Sequence, residues 1–200
     1  MHMTTLKLKD FIKSVLIDEL GAMIDQHPYI SFIMMGIGIE FLGKCINTTL
    51  NSWNIRGRSG PDFKNAIRSI PSLQKYKPYL TTYDLYGSFR CGLAHTAAPK
   101  YSITLSSKEQ MGHLNEGNGR LNLKVEDFYN DFKLACEHVM NITYPAGDKM
   151  NQDFLQVPGS AFNSGTNNVT EITSNFDPFS GTTSNSSAAS GTTAHNEFRE

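Results

Sequence analysis

The chain has 200 residues, with 18 Lys or Arg against 19 Asp or Glu, so its net charge of −1 gives no overall basic bias toward nucleic acid. Ser, Thr, Asn and Gly make up nearly half of residues 145–200, which also carry six acidic and two basic side chains. Residues 1–144 therefore form one domain-sized unit with a net charge of +3, which argues against a two-domain enzyme. Residues 145–200 are predicted to be a disordered tail, because they cannot bury enough apolar surface to offset the entropy of ordering.

The cysteine content predicts a reducing compartment. Cys45, Cys91 and Cys136 are too few and too widely spaced for a disulfide framework, and no CxxC pair suggests a structural zinc site. The N-terminal segment alternates charged with apolar residues and shows no secretion signal. We therefore expect a cytoplasmic protein.

The first two predicted elements are helices. Apolar residues recur at three- and four-residue spacings through residues 8–24, which predicts an amphipathic helix of about twenty residues that ends before Pro28. Residues 29–51 are apolar nearly all round, as expected for a helix packed among several neighbours. Because Glu40 and Lys44 interrupt this run, we interpret it as a buried core helix and expect no membrane contact.

A basic turn and a short helix follow. Residues 54–60 hold two arginines and two glycines, and Pro61 suits the first position of a helix that reaches about residue 70. Pro71 and Pro78 then bracket a loop or a single turn.

The last elements complete a mainly α fold. Thr82 is a suitable N-cap for a helix over residues 83–94. Residues 101–105 and 121–125 are β-prone and are separated by glycines, which predicts two β-strands that pair with each other. Residues 125–142 close the fold with an amphipathic helix. The predicted architecture is an antiparallel bundle of four to five helices, with one small β-hairpin before the last helix.

The most informative segment for function is residues 86–95, YGSFRCGLAH, because it ends a helix with an Arg and a His five residues apart. Arg90 is a permanently charged phosphate clamp, and His95 exchanges a proton near neutral pH, so the pair suits phosphodiester cleavage. On a straight helix the two side chains would differ by roughly 140° in azimuth. Gly92 or a helix end before His95 could bring the two side chains closer together. Alternatively, two copies of the segment could meet across a dimer, so that Arg90 and His95 of both chains surround one site.

These residues resemble the R-x4-6-H motif of HEPN domains, small α-helical proteins of prokaryotic toxin, phage-defence and RNA-processing systems. The resemblance extends over roughly residues 5–142, and the segments 89–95 and 125–132 look like an uncharacterised bacterial branch of HEPN-like proteins. It implies an endoribonuclease that needs no metal or other cofactor and works as a homodimer, in a toxin-antitoxin or phage-defence context. An antitoxin or another protein is then an expected partner, besides RNA.

The resemblance also implies residue roles. His95 would be the general acid or base at the ribose 2′-hydroxyl and the leaving oxygen, and Arg90 would stabilise the charge on the phosphate. The residue after the Arg, often Asn, Asp or His in active members, is Cys91 here. In the alternative interpretation, Arg90 and His95 tie the helix end to a carboxylate such as Glu40 or Asp84. The protein would then be a non-catalytic HEPN-like module that binds RNA, a nucleotide or a protein.

Glu40 and Lys44 lie four residues apart on the apolar second helix, where a charge pair costs less than a lone charge. They would either orient Arg90 or His95, or lie at a helix edge with their charges in water.

The densest basic patch consists of Arg56, Arg58, Lys64 and Arg68, with several tyrosines after it. It is a candidate RNA-binding surface, because basic side chains contact the backbone while aromatic rings stack on bases. The alternative is that the basic residues are solvated and the tyrosines half-bury against the bundle. His113 and His138 lack a partner at metal-ligand spacing, so no metal is assigned.

Overall fold

The structure, a computed structural model, describes residues 3–47, 56–108, 111–143 and 149–158. It confirms a mainly helical fold with small sheets. Strand β1 (Met3–Lys7) leads without a loop into the first helix.

Helix α1 confirms the first predicted helix. It is a continuous segment made of α-helical Leu8–Phe11, π-helical Ile12–Glu19 and α-helical Leu20–Met23. In its π-helical part the adjacent Leu16 and Ile17 are both buried. The buried face is therefore broader than the single stripe of the predicted α-helix.

Helix α2 (Pro28–Ile46) is the central helix, and Pro28 starts it as its fixed φ favours. Its length and mean hydropathy of 1.5 would allow it to cross a membrane, but 56% of the apolar segment is buried by the rest of the protein. Met35, Ile39 and Leu42 are fully buried. Residues 48–51 of the predicted second helix lie outside the described residues.

Three short helical elements follow. Helix α3 (Ser59–Ser69) carries Pro61 in its first turn, close to the predicted position. A 3₁₀ helix (Pro71–Tyr76) and the single-turn helix α4 (Tyr79–Thr82) occupy the segment around the two prolines.

Helix α5 begins later than the sequence predicts. It consists of π-helical Tyr86–Cys91 and α-helical Gly92–Thr96, instead of one α-helix from residue 83. The reason is Asp84, whose φ of 43° interrupts the helix and whose carboxylate accepts the N–H of Gly87.

The predicted β-hairpin is wrong in its pairing. Strands β2 (Ile103–Ser106) and β4 (Arg120–Lys124) exist where expected, but they pair in parallel, and β3 (Glu116–Gly117) is the antiparallel partner of β4. Asn118 and Gly119 both have positive φ, so Asn-Gly forms the tight turn between β3 and β4. The hairpin of β3 and β4 thus reverses the chain, and β4 then pairs with β2 in the same direction.

Helix α6 (Val125–Met140) confirms the last predicted helix. Beyond it, a 3₁₀ turn (Lys149–Asn151) and strand β5 (Asp153–Pro158) follow, and β5 pairs antiparallel with β1. The predicted disordered tail therefore starts too early, because Met150 is 3% exposed and anchors this segment in the core. The remainder of that tail, residues 159–200, lies outside the described residues.

A cluster of aromatic rings fills the core beneath α5. Phe89 of α5 packs edge-on against Phe32 of α2 and Phe128 of α6, with ring centroids 6.1 and 5.3 Å apart. These contacts fix α5 against the two longest α-helices and so determine where its neighbour Arg90 lies.

Candidate functional site

Helix α5 carries both motif residues, and its sequence explains its shape. Leu85, Phe89 and Leu93 are buried and hold one face against the core. Gly92 lets the following chain fold back closely, since a Cβ there would lie 2.7 Å from the carbonyl oxygen of Ala98. Arg90 lies in a π-helical turn. Such turns are rare in proteins, and those that occur are often found at functional sites.

Arg90 is held by the carboxylate of Glu40. Its Nη2 lies 2.5 Å from Glu40 Oε2, and the two side chains are 13% and 6% exposed. Lys44 Nζ lies 3.4 Å from the other oxygen, Glu40 Oε1, so one buried carboxylate contacts two cations. The structure thus brings Glu40, Lys44 and Arg90 together, and it gives Glu40 rather than Asp84 as the partner of the arginine.

His95 has different surroundings from Arg90. It is exposed near the end of α5, and in the described part of the chain it makes no hydrogen bond or ion pair. Ala97, in the left-handed conformation, ends the helix two residues later, and its carbonyl accepts a hydrogen bond from the Tyr29 hydroxyl at 2.5 Å. The His95 end of α5 is therefore attached to the beginning of α2.

Tyr86 belongs to this region, and the sequence placed it both at the start of the Arg-His segment and among the tyrosines that follow the basic patch. Burial and the adjacent Cys91 thiol raise the pKa of Tyr86 to about 12, and Arg90 partly opposes this rise. Its ring packs against Phe63 at 5.6 Å and against Gly60, where a Cβ would approach within 3.1 Å. Tyr86 thus connects helix α3 with the surroundings of Arg90.

Three of the four predicted RNA-binding residues line one pocket. Arg58, Lys64 and Arg68 surround a cavity of about 720 Å³, which Tyr86 and the first turn of α3 also border. Arg58 is also paired with the buried Asp62 at 3.3 Å. Arg56 is exposed and does not line the pocket. Neither Arg90 nor His95 lines it.

A second polar cluster, which the sequence did not reveal, lies around Tyr76. The buried Tyr76 hydroxyl donates to Asp131 Oδ2 at 2.5 Å and lies 2.7 Å from Nε2 of His113. Lys75 Nζ pairs with the other Asp131 oxygen at 2.7 Å. Burial and Asp131 raise the pKa of Tyr76, and burial lowers the pKa of His113. Asp131 is buried, with 7% of its surface exposed, although it is a carboxylate on an amphipathic helix.

Within the described ranges, no group of three His, Cys, Asp or Glu side chains could hold a metal ion. His138 is exposed on α6.

Comparison with known proteins gave no match to any family model, curated protein or solved structure.

Proposed function

We propose that this protein is a HEPN-like endoribonuclease that acts as a homodimer and uses His95 for proton transfer without a metal. The observation that carries the proposal is the contrast within α5, where His95 is exposed and unpaired among the described residues, whereas Arg90 is partly buried and its position is fixed by Glu40. The HEPN-like bundle, the cytoplasmic location and the toxin-antitoxin or phage-defence context are part of this proposal. An antitoxin or another protein remains the expected partner.

In this mechanism His95 takes the proton of a ribose 2′-hydroxyl, and the 2′-oxygen attacks the adjacent phosphorus to form a 2′,3′-cyclic phosphate. The bond from phosphorus to the 5′-oxygen breaks, and a protonated His95 of the dimer delivers a proton to that leaving oxygen. Arg90 provides a positive charge, held in place by Glu40, that stabilises the extra charge on the phosphate. A guanidinium has five N–H donors. Nη2 forms the ion pair with Glu40, and Nε has no hydrogen-bond partner among the described residues, so the pair positions the arginine without using all of its hydrogen-bonding capacity. Glu40 and Lys44 are then positioning residues.

The exposed face of α2 supports the homodimer. Ile30 and Ile37 are 46% and 41% exposed, and Ile33 and Met34 between them are only partly buried. Because Tyr29 attaches the end of α5 to this end of α2, a second copy seated on these residues would lie beside His95. Two histidines and two arginines would then face one cleft.

A second candidate function is binding of RNA, a nucleotide or a protein without cleavage. The observation that favours it is the ion pair of Arg90 with Glu40, since an arginine that is 13% exposed has a structural role even where nothing is cleaved.

Cleavage of RNA by the purified protein in EDTA tests the proposal. We expect His95→Gln to lower the cleavage rate at least about 100-fold, because a general acid or base contributes that much or more. His138→Gln is the matched control, since it removes an exposed histidine from α6.

Equal cleavage by the His95→Gln and His138→Gln proteins would contradict the role of His95. RNA binding with no cleavage by the unchanged protein would support the second candidate function. Arg90→Lys is preferable to Arg90→Ala in this assay, because it retains a positive charge beside the buried Glu40.

A further inference from the structure

The pocket beside α3 has an excess of positive charge that nothing in the mechanism at His95 uses. Lys64 and Arg68 lie four residues apart on α3, so both point to the same side of the helix. Within the described residues neither forms an ion pair, and the pocket lining contains no carboxylate. Arg58 adds a third cation, while its partner Asp62 is 1% exposed and outside the lining.

The size and lining of the pocket indicate a ligand larger than a single ion. Its volume of about 720 Å³ lies in the range of small-molecule sites and exceeds what one phosphate fills. Tyr86 provides an aromatic wall, and Asn65 provides an amide that can donate and accept hydrogen bonds. Cations beside an aromatic ring are the features that recognise a phosphate and a base together.

The packing around Tyr86 shows how the site is built. Gly60 leaves room for the ring, and Lys64 Nζ lies 6.0 Å from the ring centroid. Because the ammonium and the ring line the same pocket, a ligand phosphate would meet Lys64 while a base would lie beside Tyr86. The site is therefore formed by α3 and by the first residue of α5.

We propose that this pocket binds the phosphate of a nucleotide through Lys64, Arg68 and Arg58, with Tyr86 beside the base. The nucleotide is either free or part of a nucleic-acid strand, because both present the same phosphate and base. The proposal is independent of whether His95 cleaves RNA.

Isothermal titration calorimetry with the full chain tests it, using AMP, adenosine, inorganic phosphate and a short 2′-O-methyl oligoribonucleotide as probes. The 2′-O-methyl group blocks cleavage that starts at the 2′-oxygen, so a signal reports binding alone. We expect AMP or the oligonucleotide to bind, with an affinity that falls as salt rises, and adenosine to bind at least about tenfold more weakly.

The double variant Lys64→Gln/Arg68→Gln should weaken binding of the phosphate-bearing probe about tenfold or more, because two charge-assisted contacts are lost. The matched control is Lys77→Gln/Lys133→Gln, which removes the same charge from exposed positions elsewhere and should change affinity less than about twofold.

Binding of AMP without the oligonucleotide would identify a free nucleotide, and the reverse would identify a strand. Three results would overturn the proposal: no binding of any phosphate-bearing probe, equal binding by the double variant, or adenosine binding as tightly as AMP.

Discussion

Glu40 shows how one residue can connect a functional motif with the core. A carboxylate in the middle of an apolar helix is expensive to bury, and it is tolerated here because Lys44 and Arg90 approach its two oxygens. The spacing of Glu40 and Lys44 was visible in the sequence. The contact with Arg90 was one of two carboxylate alternatives, because no periodic pattern relates residues fifty positions apart.

His113 gives a prediction about pH at the same scale. Its Nδ1 accepts the backbone N–H of Lys124 at 3.1 Å, and its Nε2 faces the Tyr76 hydroxyl, which donates to Asp131. Since Nδ1 is an acceptor, the folded state favours neutral His113, in agreement with the lowered pKa.

The stabilisation from a histidine with a lowered pKa is present above the unfolded pKa of about 6.5, and it is lost as pH falls through the folded pKa. Asp131 and Asp127 oppose the lowering, while Lys75 and Lys124 reinforce it. Urea unfolding between pH 7.5 and 5 should therefore show a loss of stability that His113→Gln reduces. An identical pH profile for the unchanged and His113→Gln proteins would contradict this account.

At the scale of elements, the contact between α2 and α3 depends on one glycine. A Cβ at Gly43 would lie 1.9 Å from the carbonyl oxygen of Asp62, so the two helices could not keep their separation. The close contact matters for function because α3 carries the basic pocket and α2 carries Glu40.

Gly43→Ala should therefore destabilise the protein by about 3 kcal/mol, because backbone atoms of α3 have to move. Gly117→Ala is the control, since no heavy atom lies within 4 Å of its added Cβ and its φ is negative. The measurement is the free energy of unfolding in urea, and equal stability of the two variants would show that the helices separate without cost.

The elements also show which features the sequence could predict. Helices α1 and α6 followed from apolar spacing, because each buries one face, and α2 followed from a run of residues that is apolar nearly all round. The parallel pairing of β2 with β4 did not follow, since strand pairing depends on the path of the intervening chain. The Asn118-Gly119 turn was a readable signal that indicates the β3–β4 hairpin.

Prediction of the candidate site was uneven for a related reason. Lys64 and Arg68 could be grouped because they lie on one short helix, and Arg58 precedes it directly. Tyr86 was grouped with the patch only as one of several tyrosines that follow it, and the Tyr76 cluster was not predicted, because tertiary contacts bring these residues together from distant parts of the chain.

At the scale of the whole molecule, the described fold is closed by its last segment. Phe154 of β5 packs on Phe11 of α1 and Phe41 of α2, with ring centroids 4.9 and 5.5 Å apart. The Ser-, Thr- and Asn-rich composition that follows concealed this segment, since its few apolar residues stand in a polar background.

Truncation tests this closure. A chain of residues 1–143 should lose about 2 kcal/mol or more relative to residues 1–158, because it lacks the buried Met150 and the Phe154 contacts. A chain of residues 1–158 should match the 200-residue chain within about 0.5 kcal/mol, since composition predicts no core contribution from residues 159–200. Thermal and urea unfolding of the three chains measure both differences, and equal stability of the two truncated chains would show that β5 adds nothing.

The pairing of β1 with β5 also determines how the molecule responds to tension. Met3 is the partner of Pro158, so a force applied at these two positions acts at one end of an antiparallel ladder. Its hydrogen bonds would break one after another instead of sharing the load. Mechanical unfolding therefore starts by unzipping this two-stranded sheet, before tension reaches α1.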